Sequence, residues 1–191
     1  VIAEQIRALR TNLQFLRESR EGSQALLFTS SISGEGKSFI SLNLGASLAL
    51  VGRRTVILEM DLRKPRLRHS LENFPVGIGI SNYLIGEAAI EDIIQPIPNT
   101  ENYYIITSGP IPPNPSELLS SPRLETLIQE LRQHFDYVII DAPPIGLVTD
   151  AQLIAPFADA TLFIVRHDLT PKSYMKMVET IHQEKRFNKL N

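Results

Sequence analysis

The 191 residues suffice for one domain with a substantial core. Hydrophobic residues form 43% of the chain and charged residues 21%, which excludes a disordered or linker-like polypeptide. A formal net charge of -2 excludes the global positive field that draws nucleic acids, and the lack of cysteine excludes disulfides, thiolate zinc sites and a cysteine nucleophile.

Ile2, Ile6, Leu9, Leu13 and Leu16 recur at intervals of three and four, with Glu4, Arg7, Arg10 and Arg17 at other positions. This spacing predicts an amphipathic helix over 2–16, ending in the polar stretch 19–23. Residues 25–29 read as a short buried strand. A glycine-bearing turn, a helix over 37–51 and a second strand over 55–61 follow. The longest apolar stretch, 39–51, is broken by Ser41, Asn43, Gly45 and Ser47 and falls short of the ~20 residues that span a bilayer.

Residues 62–102 are less regular: a basic run, a loop over 75–79, and short helical segments near 81–84 and 88–94. A third strand is predicted over 103–107, followed by the proline-rich stretch 109–115. Leu118, Leu124, Leu127, Ile128 and Leu131 mark helix from about 116, leading to a fourth strand over 137–141, which Ala142-Pro143-Pro144 ends. A short helix over 150–157, a fifth strand over 160–165 and a helix over 171–187 complete the pattern. Continuous apolar strands separated by helices imply an α/β fold, with a mostly parallel central sheet covered by helices on both faces. A further strand is expected beyond the last helix.

The segment Ser30-Ser31-Ile32-Ser33-Gly34-Glu35-Gly36-Lys37-Ser38 lies between a predicted strand and a predicted helix. Small residues let backbone N–H groups close around phosphates, a lysine reaches the outer phosphates, and a hydroxyl at Ser38 suits magnesium. Ser33 to Phe39 are therefore the nucleotide-binding candidates. Ser31 stands where the usual pattern has glycine, a small residue in place of a smaller one. Asp61 and Asp141 end the second and fourth strands, where ligands of open parallel sheets bind. A lone strand-end aspartate is ordinarily a turn former or cap. Two beside a phosphate loop are candidate metal ligands together with Ser38. Glu59, two residues before Asp61, is expected on the same side of the strand and hence near the same site. The run Arg63-Lys64-Pro65-Arg66-Leu67-Arg68-His69 is either a solvated face or a source of phosphate or substrate contacts from Arg63, Lys64 and Arg66.

Four segments together resemble the cytoplasmic catalytic domain of the bacterial tyrosine kinases that regulate capsule and exopolysaccharide assembly. They are Glu4-Gln5-Ile6-Arg7-Ala8-Leu9-Arg10, the phosphate loop through Ser38, Val56-Ile57-Leu58-Glu59-Met60-Asp61-Leu62-Arg63-Lys64-Pro65, and Val138-Ile139-Ile140-Asp141-Ala142-Pro143-Pro144. The resemblance implies a P-loop NTPase fold related to the partitioning ATPases, with residues 1–191 forming a single kinase domain. It implies ATP and Mg2+ held by Lys37, Ser38, Asp61 and Asp141, and an acid, Glu59 or Asp61, that orients the acceptor hydroxyl. It further implies a ring-forming homo-oligomer assembled through Glu4, Arg7 and Arg10, with phosphorylation of tyrosines between subunits. Expected partners are a fused or separate membrane activator of polysaccharide chain-length control and a cognate tyrosine phosphatase. The expected location is the cytoplasmic side of the inner membrane, with attachment through the parent chain or a partner.

Two departures stand out. The family commonly carries aspartate where Glu59 stands, and no tyrosine-rich tail is present. Tyr174 is the last tyrosine, so either such a tail, like the last strand, lies beyond Asn191, or the chain phosphorylates another target, or it hydrolyses ATP without being a kinase. The rival readings are a partitioning-type ATPase switch, disfavoured by Ile32 at the position of an early lysine, and a noncatalytic ATP-binding assembly module.

Overall fold

A computed structural model describes residues 1–16, 22–71, 74–75, 77–146, 149–184, 187 and 189–190. Part of the expected polar break over 19–23 and of the expected helix end at 187 lies outside these residues. In chain order the elements are α1 (Ile2–Leu16), β1 (Gln24–Ser30), α2 (Lys37–Ala49), β2 (Thr55–Glu59), α3 (Ile80–Leu84), α4 (Ile90–Ile93), β3 (Gln95–Pro96), β4 (Tyr103–Ile106), α5 (Pro115–Leu119), α6 (Pro122–His134), β5 (Tyr137–Asp141), α7 (Asp150–Ile154), β6 (Ala160–Ile164) and α8 (Lys172–Gln183). Short 3-10 turns at Leu67–Ser70 and Ala155–Phe157 complete the described elements.

One six-stranded sheet has the order β3-β4-β2-β5-β1-β6. Five strands run parallel, and the two-residue β3 pairs antiparallel with β4 at the edge. Sequence periodicity did not reveal β3, because two residues cannot display an alternation. Thr161 of β6 also forms a parallel bridge with Leu190.

Alternation along the strands separates two apolar layers. Leu26, Phe28, Ile57 and Ile139 pack with Leu44 and Leu48 of α2 and Leu13 of α1. Leu27, Val56, Leu58, Val138 and Ile140 face Leu124, Leu127, Ile128 and Leu131 of α6. The α6 residues are spaced at three and four and are essentially inaccessible, so each contributes about 1.5–3 kcal/mol of apolar burial. The central strands are buried at every position, which explains their unbroken apolar runs.

Helix α1 matches its predicted span but not its predicted packing. Leu13 is buried and Ile6 and Leu9 are half-buried, whereas Ile2 is 62% exposed. The Arg10 guanidinium fixes the helix to α2 by donating to the Ser47 carbonyl at 2.8 Å and the Ser47 hydroxyl at 3.0 Å.

Candidate nucleotide site

The strand order places β5 between β1 and β2. The loop after β1, the end of β5 and the turn after β2 therefore meet at the carboxyl ends of the strands, around an open cleft of about 300 Å3. Ser33, Gly34, Glu35, Gly36, Lys37, Ser38 and Phe39 all line it, with Asp61 and Asp141. Gly34 and Gly36 have φ of 93° and 94°, and a Cβ at either would meet no atom within 4 Å. Glycine is thus required there by torsion rather than by space. Gly36 at the N-cap of α2 provides no side-chain cap, so among the described residues the helix's first-turn amides are available to an anion.

Lys37, Ser38 and Asp141 converge in the cleft. The Lys37 ammonium donates to Asp141 Oδ1 at 2.7 Å, and the Ser38 hydroxyl donates to Asp141 Oδ2 at 2.8 Å. Ser41 adds a longer bond to Asp141 at 3.3 Å. Only 9% of the Lys37 side chain and 3% of the Asp141 side chain is accessible, so the pair is largely desolvated. Asp61 sits on the opposite lip, where its Oδ1 accepts the Lys64 amide at 3.0 Å and the Arg63 amide at 3.3 Å.

A divalent cation is implied by the phosphate loop, and the donor set fits one in a restricted way. Among the described residues no group of three or more His, Cys, Asp or Glu side chains could hold a metal by itself. The hydroxyl and carboxylates of Ser38, Asp141 and Asp61 suit a hard cation whose remaining ligands are phosphate oxygens and water.

Two expected contacts differ. Glu59 does not join Asp61 in the cleft. Strand β2 ends at Glu59, so the alternation that would align the two acids stops there. The inaccessible Glu59 carboxylate accepts the amides of Leu67 at 2.6 Å, Arg68 at 3.4 Å and Ser108 at 3.1 Å. Arg63 also turns away from the cleft: its guanidinium pairs with buried Asp150 through bonds of 2.7 and 3.1 Å and donates to Ser116 Oγ at 2.6 Å. The Asp150 hydrogen bond raises the Arg63 pKa against the opposing effect of desolvation. Lys64 and Arg66 do line the cleft. The Glu35 carboxylate faces inward, accepting the Ile32 amide at 2.9 Å and bonding Thr170. With Arg166, which donates to the Gly34 carbonyl at 3.2 Å, Thr170 links the phosphate loop to the segment after β6. Spacing gave no signal for these partners because 132 residues separate Arg166 from Gly34.

Residues 26–189 match the AAA domain family. The putative tyrosine-protein kinase CapB of Staphylococcus aureus is 37% identical over 175 residues, covering 92% of this chain and 75% of that protein. The chain belongs to the bacterial tyrosine-protein kinase family. The solved kinase domain of Escherichia coli tyrosine kinase ETK superposes with a TM-score of 0.89 at 30% identity, covering 98% of this kinase domain and 72% of that chain. The septum site-determining protein MinD of Pyrococcus horikoshii shares the fold at a TM-score of 0.72 and 22% identity, covering 88% of this chain and 68% of its own. The expected kinship with partitioning-type ATPases therefore holds at the level of architecture.

Proposed function

We propose that this domain transfers the γ-phosphoryl group of ATP to a tyrosine hydroxyl, using Lys37, Ser38, Asp61 and Asp141. The observation that carries the reading is the convergence of Lys37, Ser38 and Asp141 at the glycine loop, in a chain 37% identical to a tyrosine-protein kinase. The loop amides and Lys37 bind the phosphates and stabilise charge on the transferring group. Asp141 holds the Lys37 ammonium at the mouth of the loop, and a lysine ammonium has three donors, so a phosphate oxygen would share it with that carboxylate. A bound magnesium ion would supply neutralisation of phosphate charge. Ser38, Asp61 and Asp141 would hold that ion. Asp61, which lines the cleft, would orient or deprotonate the acceptor hydroxyl, a role that the amides accepted by buried Glu59 argue against for that residue.

The same reading assigns the domain to control of capsule or exopolysaccharide assembly, with a membrane activator and a cognate phosphatase as partners. Among the described residues no helix is long and apolar enough to cross a membrane. Self-association would use Glu4 and Arg7, which form an exposed pair at 2.7 Å. Arg10 is committed to Ser47 within the chain and is a weaker candidate.

Incubation of the purified protein with magnesium, ATP and a tyrosine-bearing peptide tests the reading. Phosphotyrosine located by mass spectrometry, and lost in Asp61→Asn, is expected. Release of inorganic phosphate without phosphotyrosine would support an ATPase switch instead. Retention of ATP with neither product would support a noncatalytic module.

A further inference from the structure

The turn after β2 carries cations to which the proposed transfer step gives no role. Lys64 and Arg66 are exposed and line the cleft. Arg63 is neutralised by Asp150, but neither Lys64 nor Arg66 has an ion pair among the described residues. Among the nearby acids, Asp141 pairs with Lys37, Glu35 is turned into its own loop, and Asp61 accepts two backbone amides through Oδ1, with no ion pair from Asp61 to Lys64 or Arg66 among the described residues. The turn is also fixed from below. Buried Glu59 holds the amides of Leu67 and Arg68, and Leu67 is fully inaccessible. A pinned backbone presenting free cations loses little conformational freedom when an anion docks.

Its place in the fold separates it from the phosphate loop. That loop follows β1 and this turn follows β2, on opposite sides of the β5 end that carries Asp141. The turn thus lies across the cleft from the amides that would grip the phosphates. We propose that Lys64 and Arg66 bind carboxylates flanking the acceptor tyrosine, so that the substrate class is an acidic tyrosine-bearing segment. This deepens, and rests on, the tyrosine-transfer reading above. An arginine fork recognises a carboxylate with two parallel bonds, while lysine supplies a second, less directional charge.

The test uses three tyrosine peptides that differ only in having Glu, Gln or Lys at the flanking positions, with the wild-type chain and K64E/R66E. Wild type should favour the Glu peptide over the Gln peptide by roughly three- to tenfold in kcat/KM, the range expected for two partly exposed charge pairs. The double variant should reverse the order and favour the Lys peptide. Binding of the same peptides with Phe in place of Tyr, followed by fluorescence anisotropy, reads the docking without phosphoryl transfer. Discrimination in binding without transfer would refute the kinase reading and leave the acidic-segment site supported. Transfer without discrimination by wild type would overturn the site and leave the kinase reading intact. Lack of discrimination in both assays would also overturn the site. Weakened binding of a fluorescent ATP analogue by K64E/R66E, with an unaltered peptide ratio, would reassign the two cations to nucleotide phosphates and overturn the inference.

Discussion

The two ends of the central sheet use similar residues in opposite ways. At the amino ends of the strands, Arg54 lies over the rings of Tyr104 and Phe135, at 5.4 and 5.1 Å from their centres. The Asp136 carboxylate accepts the Arg54 amide at 2.8 Å, and Asp159 pairs with Arg132 while accepting the Ala25 amide at 2.7 Å. Charge there ties neighbouring segments together. At the carboxyl ends, glycine-bearing backbone, the cations Lys64 and Arg66, unpaired among the described residues, and a desolvated Lys37–Asp141 pair surround an open cleft. The amino ends commit their charge to contacts between segments, whereas the carboxyl ends keep both paired and unpaired charge around an open cleft.

The largest expected effect comes from removing the central cation. Lys37→Met should lower phosphoryl transfer by about 10²–10³-fold at saturating ATP, as loss of one preorganised electrostatic donor does. It should also destabilise the unliganded chain by about 3–5 kcal/mol, because buried Asp141 is left with only hydroxyl partners. Asp141→Asn should be destabilising too, and the double variant should lose less than the sum of the singles in denaturant titrations. Strict additivity would show that the pair is not coupled.

Glu59→Gln comes next. Replacing a buried anion that accepts three amides should destabilise by about 2 kcal/mol, lowering Tm by about 4–8 °C in a chain of this size. An unchanged Tm would break the assignment of Glu59 to holding the turn. At the opposite end of the sheet, Asp159→Asn should destabilise by no more than about 1 kcal/mol, since 41% of the Asp159 side chain remains accessible. Phosphoryl transfer should be unaffected, and a loss of transfer would mean that the two ends are energetically linked. Arg10→Ala should likewise destabilise by about 1 kcal/mol through loss of its Ser47 bonds, and Arg7→Ala by less than about 0.5 kcal/mol. Equal effects would remove the distinction between an anchoring arginine and an exposed one.

The smallest effect at ordinary pH concerns Tyr103, whose phenol donates to the Leu42 carbonyl at 2.9 Å. Burial raises its pKa, and the charge of Asp141 raises it further. The protonated phenol is therefore favoured by folding. Its contribution is complete below the unfolded tyrosine value of about 10 and is lost as pH rises above that toward the folded value. Absorbance titration should leave at least one of the five tyrosines un-ionised until alkaline unfolding. Ionisation of all five while circular dichroism remains native would contradict the buried position.

The sequence by itself determined the layered α/β fold and the phosphate loop, because both depend on local rules. Apolar runs set the central strands, spacing at three and four set α6, and the torsional freedom of Gly34 and Gly36 shaped the loop before α2. It also located Asp141 at a strand end. Direction of side chains beyond the strands was decided only by tertiary structure. Glu59 and Asp61 are two residues apart, yet the end of β2 sends one carboxylate to buried amides and leaves the other on the cleft lip. Arg63 and Lys64 are adjacent, yet Asp150, 87 residues later in the chain, captures only the first. Periodicity describes a continuous element, and it loses its hold where the chain turns. There a side chain's direction is set by hydrogen-bond partners brought close by folding, at sequence separations that no local pattern encodes.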